Sequence, residues 1–309
     1  LADDFIPSNE ERCYYCQRRK NNPALEAEKP ICDYCYQDHR IGAKLPTADV
    51  FCFDTITDKD KPHVLLKLGD TGFLQVKESD RLSRGAYYFR IQQDSDKIKM
   101  AHIPLKAVAA YVPVNEKHEF KTFDMIANEA EGVKYNAIMK GDVDSLGSIF
   151  EEGILDEKKK LSITTYNTLS AQIDLFFSGY IPYMIQKRYD QLYIVYSGGD
   201  DFCLLGPWNQ VVEFAADLRD DFEKYCANNQ RLHFSAGIEL MRRKAPIKYS
   251  IKLGDDSLGE AKNDDKAEKN RLKVFKTIIR WDAFRENLEL GKRISEWIRS
   301  SEKDGGSTR

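Results

Sequence analysis

Apolar and polar positions switch between two periods along this chain, and the switches mark most of its elements. Tyr135-Asn136-Ala137-Ile138-Met139-Lys140 is a buried run of strand length leading into Gly141-Asp142-Val143-Asp144. Residues 146–155 then read as a short helix. Ser162 starts a longer one, because Leu169, Ile173, Phe176, Phe177, Tyr180, Ile181 and Met184 recur at spacings of three and four. Ser162 or Thr164 is placed to cap it. Residues 191–196 form a second strand, 197–201 a turn and 202–206 the returning strand. An amphipathic helix over 209–226, a strand over 233–240 and a helix over 247–262 follow. The order is β-α-β-β-α-β with additions, the ferredoxin-like arrangement, so the expected class is α+β. Trp281, Phe284, Leu288, Ile294 and Trp297 begin another helical element.

The first third is organised differently. Residues 10–40 are rich in Cys, Tyr and charge and show little apolar periodicity, so they need a staple to hold a core. Between 48 and 115, short runs around Phe51, Leu65, Phe73 and Tyr88 alternate with Gly, Asp and Lys turns. These predict a small β-rich connector.

Composition narrows the class further. The chain has 309 residues, 42% hydrophobic and 31% charged, a globular balance. Net charge is −3, so no global basic field attracts nucleic acid and any such binding needs local patches or partner subunits. No apolar run approaches the ~20 residues of a membrane span. Leu1-Ala2-Asp3-Asp4 is no start for a secretory signal, which makes the cytoplasm the expected location. The first residue is not Met and the chain closes on Gly305-Gly306-Ser307-Thr308-Arg309, so it reads as a fragment of a larger protein.

The candidate chemistry lies at strand ends. Asp142 and Asp144 are two apart, so on an extended chain they leave the same face. Asp200 and Asp201 sit in a tight hairpin after Ser197, Gly198 and Gly199, where glycine lets the backbone turn and a phosphate approach closely. A ferredoxin-like sheet makes the two clusters neighbours. Converging carboxylates repel one another unless cations neutralise them, and all-oxygen donors select Mg²⁺ or Mn²⁺. Two such ions about 3.5–4 Å apart serve nucleotidyl transfer. The four aspartates are therefore the candidate catalytic residues, with Val143 counted beside Asp142, Asp200 and Asp201 at the metals. Lys262, Lys266 and Lys269 are candidate triphosphate ligands, and Ser235-Ala236-Gly237 offers small residues where a base or ribose could lie. A solvated charge run and a plain packing need explain these last two groups equally well.

Cys13-x2-Cys16 and Cys32-x2-Cys35 are separated by 15 residues, the spacing of a four-thiolate zinc site. Four protein ligands leave no open position, so the expected role is structural. His39 is read as a bystander. Cys52, Cys203 and Cys226 stand alone.

Lys140 to Phe150, Tyr196 to Asp201 and Ser235-Ala236-Gly237 together resemble the large palm-domain subunit of type III CRISPR effector complexes, closest to the Csm type. The zinc segment ahead of the palm fits the same family. The resemblance divides the chain into a four-Cys module (1–47), a β-rich connector (48–130), a palm domain (131–282) and the start of a C-terminal helical domain (283–309). It implies ATP polymerised into cyclic oligoadenylate, in a complex with guide and target RNA and sibling Csm-type subunits. It implies metal at Asp142, Asp200 and Asp201. The family usually has Ala or a similar small residue at Gly141. Its first palm and its nuclease domain, marked by a His-Asp doublet, are not in this sequence. Two other readings share the residues: a diguanylate cyclase-like enzyme using GTP, and a non-catalytic RNA- or protein-binding scaffold.

Overall fold

The computed structural model describes residues 11–44, 50–55, 64–68, 71–76, 87–91, 105–106, 108–152, 162–242, 245–263 and 269–304; for 44, 50–106, 152 and 301–304 the description is confined to the backbone. The chain divides into two compact units, Leu1–Ala107 and Val108–Arg309.

The first unit holds the cysteine module, helix α1 (Asp33–Lys44) and strands β1 (Val50–Thr55), β2 (Val64–Leu68), β3 (Thr71–Val76), β4 (Tyr87–Ile91) and β5 (Leu105–Lys106). The strands form one sheet in the order β2-β3-β1-β4-β5. The β-rich reading of this region matches the strands found. Helix α1 has too little apolar periodicity to announce itself.

The second unit begins at Val108, not at 131. Residues 108–130 contribute helix α2 (Phe123–Asn128), capped by Thr122, with Ile126 and Ala127 buried. The amide of Asn136 donates to the Phe123 carbonyl at 2.7 Å, tying this stretch to the first palm strand.

From there the elements are β6 (Asn136–Val143), α3 (Leu146–Glu152), α4 (Ile163–Leu175), a π-helical turn (Phe176–Tyr180), α5 (Ile181–Arg188), β7 (Tyr193–Gly198) and β8 (Asp201–Pro207). Then come α6 (Trp208–Tyr225), β9 (Phe234–Leu240), α7 (Ile247–Lys262), β10 (Arg271–Val274), β11 (Thr277–Arg280) and α8 (Trp281–Asp304). The sheet order is β11-β10-β9-β6-β8-β7. The four strands β9-β6-β8-β7 are the ferredoxin-like set. β10 runs parallel to β9, and β11 closes the edge.

Both faces of this sheet are covered. Ala137, Met139, Val143, Phe202, Leu204, Phe234, Ala236 and Ile238 share one core with the α4–α5 segment, α6 and the start of α8. Ile138, Cys203 and Leu205 face α7 with Ile247 and Ile251. Strand alternation thereby sends Lys140 and Asp142 to the α7 side of β6. A Cβ on Gly237 would lie 2.5 Å from the backbone nitrogen of Leu258, so only glycine lets α7 lie this close to β9. Trp281 and Phe284 belong to the palm core, so α8 starts inside this unit. Among the described residues no helix is long and apolar enough to cross a membrane.

Candidate functional site

The sequence brings both acidic motifs to one end of the sheet. The antiparallel register of β6 and β8 pairs Asp142 directly with Asp201. The N–H of Val143 donates to the Asp200 carbonyl at 3.0 Å. On its other side, Asp142 pairs with Ser235 of β9.

Two lysines answer this charge from the α7 side. Lys262, the last residue of α7, forms an ion pair with Asp142 and lies 3.7 Å from Oδ1 of Asp144. Burial and the nearby Lys269 push its pKa down to about 8, while the two carboxylates in contact act the other way. Lys140 pairs with Asp255 of α7 and lies over the Tyr196 ring, 5.4 Å from its centroid. Burial works against its charge, yet the bond to Asp255 and the Tyr196 contact leave its pKa raised. Asp201 is half-buried. Burial pushes its carboxyl pKa up, Lys140 opposes that and Asp200 reinforces it, and the net shift is upward.

Asp144 plays a different part from its neighbour. It is fully buried, and its Oδ2 takes hydrogen bonds from the Ser235 hydroxyl at 2.8 Å and the Asn270 N–H at 2.9 Å, with the His233 Nδ1 also at 2.8 Å. Its Oδ1 has no hydrogen-bond partner. The following residue, Ser145, turns the chain at φ 53°. This carboxylate ties β6 to β9 and β10 from inside.

The hairpin is held from the helical layer. Gly199 turns at φ 64°, and its N–H donates to Oδ1 of Asp174, the penultimate residue of α4, at 2.8 Å. The Ser197 hydroxyl donates to the Phe177 carbonyl at 2.7 Å. Phe177 lies in the π turn, where widening of the helical repeat changes which carbonyls find partners within the helix. The unbroken helical periodicity of 162–184 conceals that turn.

The other candidate nucleotide contacts separate. Ser235 and Ala236 are fully buried, with the Ser235 hydroxyl committed to Asp144, and Gly237 is packed under α7. All three small residues have a packing role in the sheet. Lys269 lines a cavity with His233 and is close enough to Lys262 for the two charges to repel. Lys266 lies outside the described residues. Asp174, His233, Asn270 and Asp255 escaped the sequence reading. Lys140 alone had a signal, since it stands two residues before Asp142 on the same strand face.

Among the described residues, only Cys13, Cys16, Cys32 and Cys35 form a group of three or more potential metal ligands with donor atoms all within 4.8 Å of one another. The palm carboxylates are set wider. A tetrahedron with Zn–S near 2.3 Å has S···S edges of about 3.8 Å, and Cys16 and Cys32 stand 3.9 Å apart. Cys13 and Cys32 are buried. Burial pushes the Cys13 thiol up, but backbone bonds from Cys16 and Cys32 outweigh it and bring the pKa down to about 6, while burial pushes Cys35 up. The donor set fits a structural zinc ion. His39 is exposed and outside the group.

Comparison with known proteins agrees with this architecture. Residues 135–273 match the family model described as Cas10/Cmr2, second palm domain. The CRISPR system single-strand-specific deoxyribonuclease Cas10/Csm1 (subtype III-A) of Methanocaldococcus jannaschii is 29% identical over 335 residues, covering 91% of this chain and 41% of that protein. An apo Csm1-Csm4 cassette structure is similar at TM-score 0.67 and 25% identity, covering 83% of this chain and 38% of that one. A Csm1-Csm4 cassette in complex with one ATP follows at TM-score 0.64 and 25% identity, covering 79% and 36%. The chain spans less than half the length of each.

Proposed function

We propose, from a chain whose residues 135–273 match the Cas10/Cmr2 second palm domain, that it supplies a nucleotidyl-transfer site to a Csm-type CRISPR interference complex. The proposed reaction is ATP to cyclic oligoadenylate, activated by target RNA. The observation that carries this reading is the pairing of Asp142 with Asp201 across β6 and β8, with Lys262 set against Asp142.

Asp142, Asp200 and Asp201, with Val143 beside them, are the groups that would hold two Mg²⁺ or Mn²⁺ ions. Their oxygen donors suit hard cations, and the Lys262 ammonium already answers positive charge to Asp142. Bound ions would activate a 3′-hydroxyl and stabilise the departing pyrophosphate. The chain's own part is to fix the donors. β6 and β8 hold Asp142 against Asp201, Asp144 ties β6 to β9, and Asp174 with the π turn holds the hairpin. Lys262, once Asp142 is otherwise neutralised, is placed to take a phosphate oxygen. Lys140 remains with Asp255 and offsets the charge of Asp201.

ATP is proposed as substrate from the resemblance and from the related cassette described in complex with one ATP. Other Csm-type subunits, guide and target RNA, and the first palm and nuclease domains of the same protein are the proposed partners. The cytoplasm is the proposed location.

The test incubates the full-length protein, in its assembled complex, with ATP or GTP and Mn²⁺, and identifies products by mass. Cyclic oligoadenylate from the wild type and none from Asp200→Ala plus Asp201→Ala is the expected result. Cyclic di-GMP alone would reassign the palm to guanylate chemistry. Equal ATP binding by both proteins with no product from either would make the palm a scaffold.

A further inference from the structure

A polar cavity opens beside the strand ends, on the side of α6 and α8. It encloses about 670 Å³, within the roughly 300–1,000 Å³ of sites that hold small ligands. Arg219, His233, Lys269, Asn270, Arg271 and Arg280 line it. Glu223 and Asp282 are the acids in the wall, bonded to Arg219 and Arg280, so two carboxylates face four basic side chains.

Two of the wall's polar atoms lack partners. Arg219 is buried, with 7% of its surface exposed. Its Nε and Nη2 are bound to Glu223 at 2.9 and 2.6 Å, and its Nη1 has no partner. The guanidinium lies 5.9 Å from the Phe234 ring centroid and 5.7 Å from that of Trp281, which fix it in place. The Oδ1 of Asn270 is also buried without a partner, on a residue held at φ 74°. Buried polar groups are nearly always satisfied, so the orphan Arg219 donor in this wall points to a ligand that accepts hydrogen bonds; the Asn270 oxygen does not discriminate. A surplus of guanidinium and ammonium groups selects an anion, and forked guanidinium donors match phosphate oxygens.

The cavity is also wired to the palm. The His233 ring and the Asn270 N–H meet the same oxygen of Asp144, at 2.8 and 2.9 Å. We propose that this cavity is a second phosphate-binding site, taking the phosphate chain of a nucleotide or free pyrophosphate, separate from the strand-end carboxylates and joined to them through His233, Asn270 and Asp144. Its occupant braces Lys269 and Asn270, just ahead of β10, and so the seat of Asp144. The inference goes beyond the catalytic reading and holds whether or not the palm turns over.

The test titrates the full chain in EDTA, which removes metal-held nucleotide, using inorganic pyrophosphate as probe. Wild type and Asp200→Ala plus Asp201→Ala should bind it equally. Arg271→Gln plus Arg280→Gln, at the less buried rim, should weaken binding by about tenfold or more, the loss expected for charge-assisted bonds. Arg219→Gln should do the same, with its melting temperature recorded alongside; the rim variant decides the matter if Arg219→Gln does not fold. ATP displacing pyrophosphate competitively would show that nucleotide phosphates use the site; pyrophosphate bound without such competition would show the free anion to be the occupant. Absence of saturable binding by the wild type, or undiminished binding by the rim variant, would overturn the proposal. Loss of binding in Asp200→Ala plus Asp201→Ala would also overturn it, by making the anion site part of the carboxylate site.

Discussion

Asp144 looks like a catalytic residue in the sequence and like an internal strut in the structure, and one substitution separates the two roles. In Asp144→Ala the Ser235 hydroxyl, fully buried, loses its acceptor at 2.8 Å, and the His233 ring loses its partner. The Asn270 N–H keeps the Ser235 Oγ at 3.0 Å and is not counted. Lys262 loses the farther of its two carboxylates, at 3.7 Å, and keeps Asp142. One orphaned buried donor costs roughly 1–3 kcal/mol, and breaking a buried charged cluster by removing one member costs about 3–5 kcal/mol. The second figure applies here, because three elements meet at one oxygen. For a unit of this size it corresponds to a fall in Tm of about 6–20 °C. All three tryptophans of the chain, Trp208, Trp281 and Trp297, lie in Val108–Arg309, so tryptophan fluorescence follows this unit alone. Asp200→Ala is the control: it removes a partly exposed carboxylate beside another, and the expected change is within about 0.5 kcal/mol or slightly stabilising. If Asp144→Ala melts within about 2 °C of the wild type, about 1 kcal/mol or less, Asp144 is not the strut described here.

Asp201 carries a raised pKa in the folded state, chiefly through burial, so its contribution to stability is present below the unfolded value and is lost as pH rises through the folded one. Asp201→Asn should therefore flatten the fall in stability just above pH ~4 and leave the metal-free palm more stable at neutral pH, measured by urea denaturation across pH 4–7. A steeper fall in the variant would reverse the sign of the argument. Asp174→Ala removes the acceptor for the Gly199 N–H; activity should fall about tenfold, chiefly in kcat, while Tm moves by only about 2–4 °C, as for one hydrogen bond. Unchanged kcat would mean that the hairpin holds its shape alone. Chelation should make the thiols of Cys13, Cys16, Cys32 and Cys35 reactive to a thiol reagent and leave the tryptophan-monitored transition in place. Elemental analysis that finds no zinc in the pure protein would defeat the assignment.

Legibility in the sequence followed how local each physical cause is. β6, β7 and β8 are readable as largely apolar runs that meet Gly, Asp or Pro at an end, and β9 as an alternation of Phe234, Ala236, Ile238 and Leu240. The ordered strands placed Asp142 near the hairpin before any coordinates. The cysteine spacing was readable because zinc knuckles are set by sequence-local geometry. Helix α1 was missed because most of its face is charged or polar. The β10–β11 hairpin alternates weakly, at Leu272, Val274 and Ile278, and it sits within a lysine-rich stretch that reads as a solvated run. The boundary at 107 rather than 130 rests on long-range contacts of residues 108–130, which leave no periodic trace. Asp174 lies 25 positions from Gly199, and its role exists only once α4 is laid against the hairpin.

The way the hairpin is tethered bears on why so acidic a turn is stable at all. Asp200 and Asp201 are consecutive, and Asp142 stands opposite the second, so repulsion favours splaying the strand ends. Three bonds oppose it: Val143 N–H to the Asp200 carbonyl, Gly199 N–H to Asp174, and the Ser197 hydroxyl to the Phe177 carbonyl. None of the three uses a carboxylate of the hairpin. The turn is held by its main chain and by Ser197, and its geometry is set before any cation arrives. A site built this way meets its reorganisation cost during folding, when the π turn and α4 are packed, and not at each turnover. The same logic explains why Lys262 is drawn from the end of α7 and not from a strand: a helix-terminal side chain can leave Asp142 without disturbing the sheet that holds it.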